Sequence, residues 1–402
     1  MRPLEGIRVV EVSSWMATPS AGAIMADLGA DVVKVEPLGG DPLRGFGRKP
    51  KVDDEERPFV DEPFQVENRG KRSVSIDLAT AAGQEVVHRL VETAEVFVCN
   101  LLPRRQERFG LTPDSLFAVR PDLVHATLTG YGTTGPEAWR PGYDVTAFFA
   151  RASISDGLVE PPGPPPQPRP AQGDHTTGLA LVAAILAALR VVERTGQGQA
   201  VETSLFHAAA WTMATELATT LVDHRQPSRR DRRHLLNPLA NRFRCRDDKW
   251  LVVNMPEAHW WPRFCEAIDH EEWVDDTRFG TPRGRFDHMP ELMDLLDDLF
   301  GLRDRDEWGQ IFDESGLIWG PIQNLVELVE DRQAREAGLW TEIDHPEVGW
   351  FDTVAVPMRF SSSEVGPRGP APTLGQHTDA VLADLGYGDD DITDLRAQGA
   401  VG

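Results

Sequence analysis

Hydrophobic and polar positions alternate in two registers along the first third of the chain. Residues 7–12 form a short β-branched run, 18–28 an alanine-rich segment at helical spacing, and 31–36 (DVVKVE) a second apolar run. The pattern repeats with a strand over 73–78, a helix over 81–93, a strand over 95–99 and another over 123–130. Strands separated by helical segments of roughly ten to fifteen residues predict βαβ units and a parallel, doubly wound sheet. A proline-rich stretch at 161–170 (PPGPPPQPRP) reads as a stiff loop inside a domain, because helical signal resumes at 178. Long helices are expected over 178–194 and 202–222. The polar segment 223–233 (DHRQPSRRDRR) then predicts a domain boundary. Beyond it, 241–253 predicts a hairpin turning at Asp247-Asp248, with helices over 262–268, 289–300 and 305–315. From about residue 339 the sequence is strand-like and turn-rich, with a last helix over 378–385. There is no visible internal repeat.

Composition narrows the class. At 402 residues, 41% hydrophobic and 26% charged, the chain is an ordinary globular protein of two or three domains. With 41 basic and 64 acidic side chains the formal charge is −23, which argues against nucleic acid or a membrane surface as partner. Cys99, Cys245 and Cys265 are scattered, without zinc-ligand spacing, so neither a disulfide framework nor a metal site is expected. The N-terminus lacks the signature of a signal peptide. The longest apolar stretch, 178–192, is too short for a bilayer span. A soluble, cytoplasmic protein is expected.

Two features bear on chemistry. A strand, a helix and a second strand ending in Glu36 outline a nicotinamide-binding unit. The first turn, however, reads Ser13-Ser14-Trp15-Met16-Ala17-Thr18 rather than G-x-G-x-x-G, and without those glycines the backbone cannot approach a pyrophosphate in the usual way. Asp174 stands in AQGDHTTG (171–178), ahead of an apolar helix. By itself it reads as a helix N-cap. A reactive role is compatible with that, since the helix dipole and free amides keep a carboxylate ionised. Gly173 removes a side chain where an acyl group would have to approach.

Eight segments in one order decide between these readings: PLEGIRVVEV (3–12), MADLGADVVKVEPLGGDPLRG (25–45), NRGKRSVSIDL (68–78), FVCNLLPRRQERFGL (97–111), PGYDV (141–145), GDHTTG (173–178), ERTGQGQAVETSLFHA (193–208) and LGQHTDAVL (374–382). Over nearly its whole length the chain resembles the family III CoA-transferases, the CaiB/BaiF group that includes formyl-CoA transferase and carnitine CoA-transferase. The resemblance implies an α/β fold. A large Rossmann-like doubly wound domain is built from both chain ends, 1–222 and 331–402. A smaller α+β middle domain takes 223–330, and two chains interlock as a homodimer. It also implies transfer of CoA from an acyl-CoA donor to a carboxylic acid acceptor, with CoA as substrate and no permanently bound cofactor. Asp174 then matches the nucleophile, passing through mixed-anhydride and aspartyl-CoA thioester intermediates. Met16, Ala17, Ile76, Asp77, Leu78, Ala79, Asn100, Leu101, Leu102 and Arg108 match residues that line the CoA site.

The chain also departs from the formyl-CoA transferase pattern. Basic CoA contacts there correspond to Pro37 and Pro141 here, which leaves the phosphates to Arg140, Arg69 or Lys71. The segment 237–241 (NPLAN) lacks the glycine-rich closing loop, which argues against formyl-CoA and oxalate. The same fold hosts α-methylacyl-CoA racemases, which need a second acid/base group; their histidine falls where this chain has Tyr143. Tyr143 favours transfer, with the phenol placing the thioester beside Asp174. Retention of Gly173-Asp174 argues against a non-catalytic CoA-binding protein.

Overall fold

The computed structural model describes residues 1–46, 60–160, 162–227 and 231–402. The chain divides into two units. The larger takes Met1–Asp156, Gln167–Arg225 and Ala337–Gly402; the smaller takes Gly157–Pro166 and Gln226–Glu336. The proline-rich stretch is therefore not a loop inside one domain. Up to Pro166 it belongs to the smaller unit, and Gln167 onward to the larger. Pro161, Ser228, Arg229 and Arg230, which the sequence reading assigned to that loop and to the boundary segment, lie outside the described residues.

In the larger unit β1 (Arg8–Val12), α1 (Ala17–Asp27), β2 (Asp31–Glu36), α2 (Glu62–Asn68), β3 (Arg72–Ser75), α3 (Ala81–Glu92), β4 (Val96–Cys99), α4 (Pro103–Phe109), α5 (Pro113–Val119) and β5 (Val124–Thr129) follow in order. A π-helical turn (Asp144–Ala150) and the short α6 (Ile154–Gly157) lead toward α7 (Gln172–Thr195), β6 (Gln199–Ser204), α8 (Leu205–Thr212) and α9 (Ala214–Asp223). The strands form one parallel sheet in the order β3-β2-β1-β4-β5-β6. Parallel strands are covered on both faces, which is why their sequences run nearly continuous in valine. One face packs Val9, Val96, Val98 and Ala126 against α1 and α7. The other packs Val10, Val33, Phe97 and Cys99 against α3 and the C-terminal helices.

Three expectations need correction. The helix foreseen over 202–222 begins only at Leu205, because Gln199–Ser204 alternates half-buried and exposed positions as edge strand β6, and Ser204 caps α8 by accepting from the His207 amide (3.0 Å). The strand foreseen over 73–78 stops at Ser75, where Ile76 pairs with Val401 of the chain's end. Helix α7 starts at Gln172 instead of 178 and runs for 24 residues, long and apolar enough to cross a membrane, contrary to the shorter stretch read from sequence. Its inner face (Leu181, Val182, Ile185, Ala188) is buried in the core.

In the smaller unit β7 (Ala240–Arg244) and β8 (Trp250–Asn254) form the expected hairpin, with Asp248 at φ +63°, and β9 (Trp319–Ile322) adds a third antiparallel strand. Helices α10 (Trp260–Ala267), α11 (Pro282–Asp287), α12 (Met289–Phe300) and α13 (Arg305–Glu314) surround an aromatic core. There Phe243 stacks on Phe300 at 4.2 Å, and the Trp308 indole donates to the Phe300 carbonyl (3.1 Å). Trp261 belongs to that core, while Trp260 sits at its edge with its indole donating to Glu257 (2.9 Å). Short helices α14 (Leu325–Glu330) and α15 (Arg332–Glu336) complete this unit. The chain then returns to the larger unit through the hairpin β10 (Trp340–His345) and β11 (Gly349–Val354) and helices α16 (Thr378–Asp384) and α17 (Asp389–Ala397). Helix α17 was not foreseen.

The densest buried charge in the sheet lies where β1, β2 and β3 meet. Register sets Glu11 of β1 opposite Lys34 of β2, and Lys34 opposite Ser73 of β3. Lys34 pairs with Glu11 (3.1 Å) and Asp41 (2.9 Å), and Lys71 with Glu11 (2.7 Å); both lysine side chains are wholly buried. Lys71 also donates to the Pro19 carbonyl (2.9 Å) and to Asn68 (3.0 Å). Gly22 of α1 makes room for this cluster, since a Cβ there would fall 2.0 Å from Glu11 Oε2. Gly22→Ala is accordingly expected to cost roughly 2–4 kcal/mol, through overpacking and a disturbed buried ion pair, as measured by denaturant unfolding. A variant as stable as the parent would show that the cluster shifts freely.

Candidate active site

The turn after β1 is held open by side chains instead of glycines. Lys34 donates to the Ser13 carbonyl (3.1 Å), Ser13 Oγ to Glu11 (2.9 Å), and the Trp15 amide to Asp41 Oδ1 (3.1 Å). Trp15 takes φ +70°, a strained conformation for a residue of its size, which the surrounding bonds enforce. Asn100, at the end of β4, clips the same turn by donating to the Ser14 carbonyl (2.7 Å) and accepting from the Ser14 amide (3.3 Å). Met16, Ala17 and Asn100 are thus brought together at the carboxyl edge of adjacent strands, where open α/β sheets bind ligands.

Ile76–Ala79 leave the same edge from β3, two strands away from β1. The Asp77 amide bonds the Ala400 carbonyl (2.9 Å), and the Asp77 carboxylate accepts from the Ala79 amide (2.9 Å). From β3 to β4 is three interstrand steps, about 14 Å, a span that suits an extended ligand. Leu101 is buried and Leu102 precedes α4. Arg108, one helical turn further, is exposed with its guanidinium 5.5 Å from the Phe109 ring. Of the three substitute cations, two are already engaged. Arg69 is buried against Asp27 (2.8 Å) and Lys71 lies in the ion cluster, because both point inward from the α2–β3 connection. Arg140 alone is exposed, over Tyr131 (5.1 Å) and beside Glu137 (3.3 Å). The 237–241 segment is taken up in the start of β7, with the Asn237 amide group donating to the Met255 carbonyl (3.0 Å).

Asp174 lies in the first turn of α7, not at its N-cap. That position is Ala171, at φ +77°. Gly173 faces the π-helical turn rather than open space, and a Cβ there would meet Phe148 Cγ at 2.7 Å and Asp144 Cβ at 2.9 Å. Its role is therefore to let α7 close against that turn. Further along, Gly178 lets α7 close on α1, since a Cβ there would meet Ser20 Oγ and would fall 2.9 Å from the Ala17 carbonyl oxygen. These two contacts set Asp174 beside the β1–α1 turn. Tyr143 immediately precedes the π-helical turn, and its exposed ring stands edge-on to Trp15 at 5.7 Å. Tyr143 and Asp174, 31 positions apart, are thus linked through Asp144, the residue after Tyr143, which lies against Gly173.

The electrostatics reverse the expectation of a dipole-stabilised carboxylate. Partial burial, first, and then the negative charges of Asp144 and Glu67 push the Asp174 carboxyl up to about 7; the neighbouring His175 acts the other way. Asp144 and Glu67 are almost fully buried. Each has one oxygen, Oδ2 and Oε2, with no hydrogen-bond partner among the described residues. Glu67 binds His175 Nε2 through its other oxygen (2.6 Å), and this raises the pKa of His175. No signal in the sequence points to Glu67, which lies 107 positions from Asp174. Asp144 was visible only as a letter in PGYDV. Among the described residues no group of three or more His, Cys, Asp or Glu side chains is placed to hold a metal ion.

A family model described as CoA-transferase family III matches residues 4–378. The chain is 32% identical over 396 residues to the (R)-2-hydroxy-4-methylpentanoate CoA-transferase of Clostridioides difficile, covering 98% of each. It is 30% identical to the succinyl-CoA:glutarate CoA-transferase of Mus musculus, covering 100% of this chain and 91% of that one. A crystal structure of a CAIB/BAIF family protein from Brucella suis superimposes with a TM-score of 0.83 at 31% identity, covering 96% of this chain and 99% of that one.

The raised pKa of Asp174 carries a stability consequence. Between the ordinary carboxyl value of 3.8 and about 7, the folded protein holds a proton that the unfolded chain has released, so stability falls as pH rises through that window. Asp174→Asn removes the penalty. It is expected to stabilise the protein at pH 8 by roughly 2 kcal/mol, about half the full shift because the group is partly solvated, with the gain fading toward pH 4. Denaturant midpoints of both proteins at pH 5 and pH 8 test this, and a pH-independent difference would contradict it.

Proposed function

The chain belongs to CoA-transferase family III and is a CoA-transferase, and we propose that it transfers CoA from an acyl-CoA to a free carboxylic acid through covalent intermediates on Asp174. The observation that carries this reading is a half-buried carboxyl with pKa near 7, set by two glycine contacts at the carboxyl edge of the sheet.

In the first step an Asp174 oxygen attacks the thioester carbon. The C–S bond breaks, and CoA leaves as the thiolate with the electron pair. The thiolate then attacks the Asp174 carbonyl of the anhydride, releasing the donor acid and leaving an aspartyl-CoA thioester. The acceptor carboxylate attacks that thioester in turn, forming a second anhydride and free thiolate. Attack of the thiolate on the acceptor's carbonyl gives the new acyl-CoA and regenerates Asp174. Every covalent state is neutral at Asp174. Forming it relieves the repulsion from Asp144 and Glu67 that the carboxylate suffers, and a carboxylate of raised basicity is the better nucleophile. CoA would lie along Met16, Ala17, Ile76–Ala79 and Asn100–Leu102, with Arg108 and Arg140 available to its phosphates and Tyr143 beside the thioester. The named acceptors of the relatives include a branched 2-hydroxy acid and a dicarboxylic acid, so relatedness alone does not choose between these classes.

Incubation with a reactive acyl-CoA followed by hydroxylamine is expected to convert Asp174 alone to a hydroxamate, seen as a mass change on its peptide. Asp174→Ala should fold and lose at least a thousandfold in transfer, roughly the contribution of a covalent nucleophile. Substantial residual activity would sink the mechanism.

A homodimer is also part of this proposal. The outer face of α7 exposes Leu179, Leu186 and Val191, and α8 and α9 expose Trp211, Leu221 and Val222, apolar side chains that a partner chain would cover. If the two chains interlock, dissociation requires unfolding. Mass photometry at nanomolar concentration should then find only dimers, and a micromolar monomer–dimer equilibrium would rule the interlocked form out.

A further inference from the structure

We infer that the acyl site beside Asp174 accepts monocarboxylic acids and discriminates against acids bearing a second carboxylate, and that Glu67 and Asp144 are the residues that set this choice. The inference rests on the reading of Asp174 as nucleophile and deepens it to a substrate class.

The groups around Asp174 come from four elements. Helix α7 brings His175, α2 brings Glu67 and the π-helical turn brings Asp144, while the β1–α1 turn sets Trp15 against Tyr143, the residue before Asp144. Three carboxylates therefore converge on one imidazole, and that imidazole is already bonded to Glu67. The charges acting on Asp174 are Asp144, Glu67 and His175, with no lysine or arginine among them. Lys71 and Lys34 are paired with Glu11, Arg69 with Asp27 and Arg44 with Glu36. A second substrate carboxylate wants a guanidinium fork or an ammonium. Here it would instead meet a net negative set of charges, since the single imidazole of His175 faces three carboxyls, and Glu67 Oε2 and Asp144 Oδ2 are buried with no hydrogen-bond partner among the described residues. The aromatic pair of Trp15 and Tyr143, joined to Asp144 through the chain, offers an apolar surface suited to a branched or aromatic acyl body.

The test separates charge from shape. The purified full chain is given butyryl-CoA and, separately, succinyl-CoA as donor. The acceptors are glutarate, its monoamide glutaramate (the same length with one charge) and 4-methylpentanoate, and new thioesters are followed by mass spectrometry at pH 7.5. Glutaramate and 4-methylpentanoate are expected to exceed glutarate in kcat/KM by roughly 30-fold or more, the order of a like-charge encounter at 5–7 Å in a partly buried site. Glu67→Gln should lower that ratio several-fold. This within-variant comparison is insensitive to any general loss of active protein. If glutarate matched glutaramate, the selectivity inference would fail while CoA transfer stood. If no acid acquired CoA from either donor, the transfer reading and the inference would fall together.

Discussion

The buried pairing of Glu11 with Lys34 and Lys71 is the constraint on which the rest of the larger unit depends. It sits where a dinucleotide-binding protein would place bare backbone. A parallel sheet covered on both faces leaves little water to solvate these charges, so the cluster holds together only with every partner in place. That completeness ties β1, β2, the α2–β3 connection and the first turns of α1 into one rigid corner. Lys34 reaches the Ser13 carbonyl and Asp41 reaches the Trp15 amide, so the corner imposes the shape of the turn that carries Met16 and Ala17. Removal of Glu11 would leave Lys71, and removal of Lys34 would leave Asp41, buried without its ion partner, at a cost of about 3–5 kcal/mol.

The Asp174 carboxyl is placed by a different device, close approach of backbone. Gly178 brings α7 onto α1, and Gly173 brings its first turn onto Phe148 and Asp144. The same closeness that fixes Asp174 in space crowds it with negative charge. The π-helical turn contributes to this by presenting Asp144 inward, an irregularity of a kind often found at functional sites. Position and raised pKa thus have one origin. The fold holds a carboxyl where it is poorly solvated and repelled, and in the proposed mechanism covalent chemistry there would relieve the repulsion.

The strands β1, β2, β4 and β5 were legible because buried parallel strands have a simple apolar signature, and Met289–Phe300 because its helical period is uninterrupted. Edge strand β6 was misread because it is half exposed and merges into α8 without a break in composition. The early start of α7 was hidden by Gly173 and by the prolines before it, which ordinarily end helical signal. Gly173 itself was assigned to substrate access, yet its neighbour proved to be Phe148.

Local pattern and ordered motifs in the sequence were enough to determine the doubly wound α/β class and the family, and to single out Asp174 as the candidate proposed above, since each depends on residues close together along the chain or on a fixed order of segments. The acidic surroundings of Asp174, the commitment of Arg69 and Lys71 to internal partners and the pairing of Glu67 with His175 were decided only in three dimensions. Charge–charge energies depend on distance and burial, and neither is written in the separation of residues 67, 144 and 174 along the chain.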